Sequence, residues 1–267
     1  MSKSLTKKLA RLKNLFKSMG SVIVAYSGGV DSSFLLKVAK DCLNDKVLAV
    51  TAVSETYTKS ELEFAKKFCK QLKIRHKIIK TNELNDENFS ANPKNRCYFC
   101  KKELFSKLKE IAHRNRLRYL IDGTNADDSF DFRPGKKAKE ELGVHSPLAK
   151  VHLTKEEIRV LSKRFNLVSW DKPQMACLAS RVQYGNQITG RRLKRIENAE
   201  GFLRKKLKIF GNLRVRDYGD LARIEVDRSN ISKLVKRNGF IKKLKKLGFK
   251  YVTVDLEGYR TGSMNNG

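Results

Sequence analysis

Acidic residues are scarce in this chain: 28 Asp and Glu stand against 58 Lys and Arg, a formal charge of +30 over 267 residues. Such an imbalance raises a nucleic-acid partner held through its phosphates. The basic residues, however, spread along nearly every predicted helix, with clusters at Lys205-Lys206, Lys242-Lys243 and Lys245-Lys246 and no separate basic tail, which favours a solvated surface over a dedicated groove. No apolar run reaches the about 18 residues a membrane-spanning helix needs. The opening MSKSLTKKLARLKNLFKSMG also lacks the continuous apolar core of a signal peptide. It places Leu5, Leu9, Leu12, Phe16 and Met19 at helical spacing instead, so the expected location is the cytoplasm, with no membrane contact. Five cysteines, an odd number without a secretory signal, argue against a disulfide framework. Internal repeats and low-complexity linkers are lacking as well.

What is present is an alternation of short β-prone runs with amphipathic helices. Ser21–Tyr26, Lys46–Val53, Arg75–Lys80 and Tyr119–Asp122 read as strands. Helices are expected at about Asp31–Leu43, Lys59–Leu72 and Cys97–Arg114, with a polar interruption from Thr81 to Arg96. This order predicts an α/β fold with a doubly wound parallel sheet whose ligands sit beyond the carboxyl ends of the strands. Thr124–Pro147 reads as a long polar connection around one short helix, and Thr154 with Glu157 as a capping box opening another. The first domain is expected to cover 1–181. The remainder, 182–267, reads as a smaller α+β domain: a basic helix Thr189–Lys208, a hairpin of Leu213–Asp217 with Ala222–Val226, a second basic helix Ser229–Leu247 and a strand Tyr251–Val254.

The strongest chemical signal is Ser27-Gly28-Gly29-Val30-Asp31-Ser32, directly after the first strand and at the start of a helix. Adjacent glycines let backbone amides approach an anion, and a helix N-terminus adds donors and a favourable dipole, so the segment suits polyphosphate. Asp31 repels phosphate unless a cation lies between them, which points to Mg2+. An N-cap accounts for one Ser or Asp but not for the whole string. A Walker A loop is excluded, because no Gly-Lys-Ser/Thr follows the glycines. Farther on, Asp122-Gly123-Thr124-Asn125-Ala126-Asp127-Asp128 ends a strand at the same sheet edge. Gly123 admits a close backbone approach, and the acidic pair is read either as a metal or substrate contact or as a plain Asx-rich turn. Arg133 is a further candidate phosphate contact.

Cys42 and Cys69 lie among apolar neighbours and read as buried, inert thiols. Cys97 and Cys100 form a CxxC at a helix start beside Arg96 and Lys101, and Cys177 follows in Met175-Ala176-Cys177-Leu178-Ala179-Ser180-Arg181. A cationic helix start favours thiolates suited to redox, metal or sulfur chemistry. Three thiolates are one short of a closed structural zinc site, and they leave one iron of a 4Fe-4S cluster open. His145 or His152 completing a zinc site stays an alternative, whereas His76 and His113 fall on regular elements and read as structural.

The glycine string resembles the PP-loop of the N-type ATP pyrophosphatases, whose adenine nucleotide alpha hydrolase-like sheet binds ATP with the adenine over the second strand, here Thr51, Ala52 and Val53. Taken with NPKNRCYFCK, DGTNADD, DFRPGKKAKEELGVHSPL, MACLASR and RVRDYGDLARIEVD, nearly the whole chain resembles the LarE family of ATP-dependent sulfur transferases. That resemblance implies ATP and Mg2+ held through Ser27, Gly28, Gly29, Asp31, Ser32, Ala52 and Gly123. It further implies adenylation of a carboxylate of a pyridinium dicarboxylate mononucleotide, then replacement of the activated oxygen by sulfur, for a nickel-pincer nucleotide cofactor. One branch of the family sacrifices a cysteine at the position of Cys177; another holds a 4Fe-4S cluster on three cysteines. Cys97, Cys100 and Cys177 together resemble the cluster branch. The resemblance also places the substrate's phosphate and carboxylates at Arg214, Arg216 and Glu225, near Ser180, Arg181 and the catalytic Cys177. A solvated basic strand is the alternative reading of those arginines. As partners it implies the small nucleotide substrate, a homo-oligomer and a sulfur-donor or nickel-insertion protein. A tRNA thiolase of the same superfamily is the competing reading; it explains the charge of +30 directly, but no tRNA-binding module is recognisable.

Overall fold

The structure is a computed structural model that describes residues 3–130, 134–173, 176–236 and 238–264. The chain divides into two compact units: one comprising 1–54, 59–83 and 97–172, the other 55–58, 84–96 and 173–267.

In the first unit α1 (Lys3–Met19) precedes β1 (Val22–Ala25), α2 (Val30–Leu43), β2 (Val47–Val53), α3 (Lys59–Gln71) and β3 (Arg75–Lys80). Between β3 and the next long helix, the polar interruption folds as a 3-10 turn, Glu83–Asn85, and a one-turn helix α4 (Glu87–Ser90) that Asp86 caps through the Asn88 amide; its residues 84–96 count with the second unit. Then come α5 (Arg96–Arg114), β4 (Tyr119–Ile121), α6 (Gly135–Glu141), α7 (Pro147–Lys150) and α8 (Lys155–Arg164). The four strands lie in the order β3-β2-β1-β4, all parallel. Strand alternation sends Val22, Val24, Val47, Ala49 and Ile121 into the core shared with α1, α2 and α8. The intervening Ile23, Leu48, Val50 and Leu120 pack against Phe105, Leu108 and Ile111 of α5. Helices thus cover both faces, as the doubly wound reading expected. From β1 the chain winds outward through β2 to β3, and β4 lies on β1's other side. The loops after β1 and β4 therefore leave the sheet at its switch point, where open α/β sheets bind ligands.

The second unit has α9 (Gly190–Leu207), β5 (Leu213–Asp217), β6 (Leu221–Val226), α10 (Arg228–Val235), α11 (Ile241–Lys246) and β7 (Tyr251–Val254). β5 and β6 form the expected antiparallel hairpin, and β7 joins β6 in parallel. Leu203, Leu207, Leu213, Val215, Ile224, Leu234, Phe240 and Leu244 make up much of its core. The expected single helix Ser229–Leu247 is two: α10 ends with Lys236 as its cap, and a 3-10 turn Asn238–Phe240 precedes α11. Gly239 disfavours helix by about 1 kcal/mol relative to Ala, and the break lets Phe240 and Leu244 both bury.

The division falls after Lys172, not at Arg181, and draws in segments from earlier in the chain. Hydrogen bonds explain the recruitment. The Leu178 amide donates to the Thr56 carbonyl at 2.9 Å and the Ile188 amide to the Ser90 carbonyl at 2.8 Å. The side-chain amide of the wholly buried Asn92 donates to the carbonyls of Gln183 and Asn186 at 2.7 and 2.9 Å.

Candidate functional site

The glycine string turns from the buried β1 into α2 as its composition requires. Gly28 has φ +74°, a conformation strained for any residue with a Cβ, and Gly29 is the extended N-cap of α2. Ser27 and Ser32 hydroxyls lie 3.1 Å apart across the loop, and Ser32 donates to the Gly29 carbonyl at 3.2 Å. The loop after β4 closes on the same point: a Cβ on Gly123 would stand 2.9 Å from the Ser32 nitrogen and 3.0 Å from its Cα. Six of the expected nucleotide residues, Ser27, Gly28, Gly29, Asp31, Ser32 and Gly123, therefore meet at one sheet edge. Ala52 is near the carboxyl end of the adjacent β2. Beside it, the Thr51 hydroxyl donates to the Tyr26 carbonyl at 2.9 Å and meets His76 Nε2 at 2.8 Å, so His76 is structural, as expected. Burial and Lys66 push the His76 pKa down.

Asp31 is divided between two environments. Its Oδ2 receives the Lys155 ammonium at 2.5 Å, while Oδ1 is buried with no hydrogen-bond partner. An orphaned carboxylate oxygen next to a phosphate-type loop is a hard donor suited to Mg2+. The acidic residues after β4, by contrast, form an Asx-rich turn. Asp122 accepts from Thr124 and Ser146 and pairs with Lys139, Asn125 Oδ1 receives the Asp127 and Asp128 amides, and Asp127 Oδ2 receives the Lys155 amide at 2.7 Å. Of the two readings offered for that segment, the turn is the one observed. Arg133 lies outside the described residues.

Cys97 and Cys100 sit one turn apart at the start of α5, Cys97 exposed and Cys100 half-buried. Gly135 at the start of α6 packs against this turn, where a Cβ would stand 3.4 Å from the Cys97 carbonyl. Cys69 is buried in the first core with its thiol pushed up to about 12 by burial, and half-buried Cys42 is also raised, chiefly by burial. His145 is fixed through its main chain to Leu120 and Asp122 and its ring edge lies on Tyr119, while the His152 carbonyl accepts from Lys8. Within each unit, among the described residues, no three His, Cys, Asp or Glu side chains are gathered for a metal ion. The thiol set itself, two cysteines on one helical turn and exposed Cys177, is of the soft type that iron-sulfur clusters use.

Cys177 belongs to the second unit, where it caps the 3-10 turn Leu178–Arg181. Arg181, fully buried, ties this turn down: Nη1 donates to the carbonyls of Ala176 and Cys177 at 2.5 and 2.9 Å, and Nε to Glu200 at 3.0 Å. Glu200 also accepts the Val215 amide at 3.0 Å, linking the cysteine turn to β5. On β5, Arg214 and Arg216 are buried, so the solvated-strand alternative fails. Arg216 donates to Glu225 Oε2 from Nε and Nη2 at 2.9 and 2.7 Å, to the Ser180 carbonyl at 3.1 Å and to Ser263 at 2.9 Å. Burial alone would raise the Glu225 pKa, but Arg216, Ser263 and Arg223 outweigh it and hold the carboxyl below its usual range. The Arg214 pKa is pushed down to about 10 by burial and by neighbouring Arg181, against the opposing pull of Glu200. Cys177, Ser180, Arg181, Arg216 and Glu225 thus share one connected network, with Arg214 electrostatically beside it.

A model of the NAD synthase family matches residues 4–130, the part that carries the glycine loop after β1 and the start of the loop after β4. An uncharacterized protein of Synechocystis is 42% identical over 98% of each chain. The pyridinium-3,5-bisthiocarboxylic acid mononucleotide synthase of Lactiplantibacillus plantarum is 35% identical over 98% of this chain and 95% of its own. The chain belongs to the LarE family. An uncharacterized protein of Methanocaldococcus jannaschii, 36% identical over 96% of this chain and 98% of its own, extends the similarity further. Membership in the LarE family, with its PP-loop NAD synthase-like domain, makes this an ATP-using enzyme. No helix among the described residues is long and apolar enough to cross a membrane.

Three site residues escaped the reading of the sequence. Glu200 had a visible signal: a lone carboxylate in the apolar stripe Leu193, Ile196, Ala199, Leu203 and Leu207 of α9. Lys155 and Lys172, both in contact with the phosphate loop, had none, since lysines are everywhere in this chain.

Proposed function

We propose that the protein is an ATP-dependent sulfur transferase that adenylates a carboxylate of a pyridinium dicarboxylate mononucleotide and exchanges the activated oxygen for sulfur, toward a nickel-pincer nucleotide. The observation that carries this reading is the nearly full-length match to the bisthiocarboxylate synthase, which spans both the phosphate loop and the Cys177 network. In the first step a substrate carboxylate oxygen attacks the α-phosphorus of ATP; the bond to the β-phosphate breaks and pyrophosphate leaves. Backbone amides at the start of α2, with the Ser27 and Ser32 hydroxyls, hold the phosphates, and Asp31 Oδ1 would hold a Mg2+, which would supply positive charge to offset that of the leaving pyrophosphate. Gly123 gives the second loop room to lie against Ser32.

In the second step a sulfur nucleophile attacks the acyl carbon and AMP departs. Arg214 and Arg216 supply the positive field for the substrate's anionic groups, with Glu225 fixing the Arg216 guanidinium and Arg181 fixing the main chain of Cys177. A 4Fe-4S cluster on Cys97, Cys100 and Cys177 would supply a replenishable sulfide, leaving Cys177 intact as a ligand.

The test is anaerobic purification with iron, labile sulfide and zinc analysis, repeated on Cys97→Ala, Cys100→Ala and Cys177→Ala. About four irons and at least four sulfides per chain, lost in each variant, support cluster-based transfer. Metal-free protein that loses the mass of one H2S after turnover with ATP and substrate makes Cys177 the consumed donor and overturns the cluster. Stoichiometric zinc without iron overturns sulfur transfer from this site.

A further inference from the structure

Two lysines without an assigned role converge on the phosphate loop, and α8 delivers both. Thr154 caps α8 reciprocally with Glu157, and Lys8 of α1 clasps that end, donating to the His152 carbonyl at 2.7 Å and to Glu157 at 2.8 Å. This fixes Lys155 at the first helical position, where its ammonium meets Asp31. One turn on, Arg159 donates to the carbonyls of Trp170 and Lys172, both at 2.8 Å. The segment so held sets the Lys172 ammonium 2.9 Å from the Gly28 carbonyl and 3.9 Å from the centroid of the Phe64 ring. Burial pushes the Lys172 pKa down, and Glu61 opposes it only in part.

An ammonium has three donors, and a half-buried one gains most from an anion that it can reach without leaving its seat. Lys172 meets this condition at Gly28, the residue whose positive φ turns the loop toward α2. Lys155 neutralises an aspartate that would otherwise repel phosphate, and a cation arriving with the nucleotide competes for that same carboxylate.

We propose that Lys155 and Lys172 form a two-pronged clamp on the β- and γ-phosphates, making the loop selective for triphosphate and pyrophosphate over monophosphate, with Lys155 the counter-ion that Asp31 exchanges for the metal. The clamp rests on the nucleotide reading above and adds residues and a selectivity to it. It fixes the polyphosphate end before adenylation and retains pyrophosphate after it.

Calorimetric titration of the full chain with ATP, inorganic pyrophosphate and AMP, with and without Mg2+, tests it. Lys172→Met lowers ATP and pyrophosphate affinity about tenfold, as expected for the loss of one charge-assisted contact, and leaves AMP affinity unchanged. Lys172→Arg retains most of the ATP affinity. Lys155→Met weakens ATP binding more without Mg2+ than with it, because Asp31 then has no counter-ion. The clamp is overturned if either methionine variant binds ATP and pyrophosphate like wild type, or if either loses AMP and ATP affinity equally, which would indicate general damage to the loop. Wild-type protein that binds AMP but shows no preference for ATP overturns the clamp alone. Wild-type protein that binds no adenine nucleotide overturns the nucleotide reading itself.

Discussion

The two units place their polar chemistry in opposite ways. In the first, the sheet interior is apolar, and the groups of the candidate phosphate site are carried by loops at strand ends: Ser27, Gly28, Asp31 and Gly123. In the second, all five positions of β5 are buried although two of them are arginines, and the charges interlock with Glu200 and Glu225 inside the fold. The first unit can therefore lose a functional side chain at little cost to its core. In the second, the residues proposed to bind the substrate are also residues that the fold must keep neutralised, so on that proposal binding and stability cannot be separated there.

The sharpest way to break this contrast is to remove one carboxylate from each unit. Glu225→Gln leaves Arg216 and Arg223 without their shared buried partner and is expected to cost about 3–5 kcal/mol, read from denaturant unfolding. Asp31→Asn changes stability by less than about 1 kcal/mol, because Asp31 and Lys155 are both partly solvated, yet it abolishes Mg2+-dependent ATP binding. Equal destabilisation by both substitutions would erase the distinction between the units. Acid should expose the same asymmetry. Glu225 is held below its unfolded value of 4.5, so its stabilising contribution is complete above that value and fades as pH falls through the lower folded value. Thermal melts from pH 6 down to about pH 3 should show wild type converging on Glu225→Gln.

Next in size is Gly123→Ala. The added methyl carbon would stand 2.9 Å from backbone that cannot retreat without moving α2. Overpacking of this kind costs about 1–3 kcal/mol. Because the strain falls between the two loops of the phosphate site, ATP affinity should drop together with melting temperature. A variant that binds ATP normally would show that the contact between the loops does not shape the site.

This difference between the units also decided what the sequence could reveal. The candidate phosphate site is local: one strand, one glycine turn and one helix start lie within a dozen residues, so Ser27 to Ser32 could be read as one motif, and the parallel sheet followed from alternation. The second site is built by pairing across a hairpin and from a helix, and only family resemblance pointed to Arg214, Arg216 and Glu225. That the arginines are buried depends on Glu200, about fifteen residues earlier on α9, and on Ser263 near the chain's end. No periodicity encodes such meetings. The split of Ser229–Leu247 was missed for a related reason: its lysine-rich face reads as one continuous helix, while Gly239 and the burial of Phe240 decide otherwise.

The smallest expected effect tests whether the first unit's loops depend on remote support as the second unit's site does. Thr154→Ala removes the side chain that accepts the Glu157 amide, at a cost of about 1 kcal/mol. Lys8 still holds Glu157 and the His152 carbonyl, so α8 should keep its place and the melting temperature should fall only slightly. What should change more is the precision with which Lys155 meets Asp31, since that lysine occupies the first position of the uncapped turn. A modest loss of ATP affinity, largest without Mg2+, would mean that the cap acts through Lys155. If affinity is unchanged while stability falls by the full cap energy, the Lys155 contact is set by the hydrogen bond that its backbone amide donates to Asp127 alone, and the first unit's site is as self-contained as its sequence suggests.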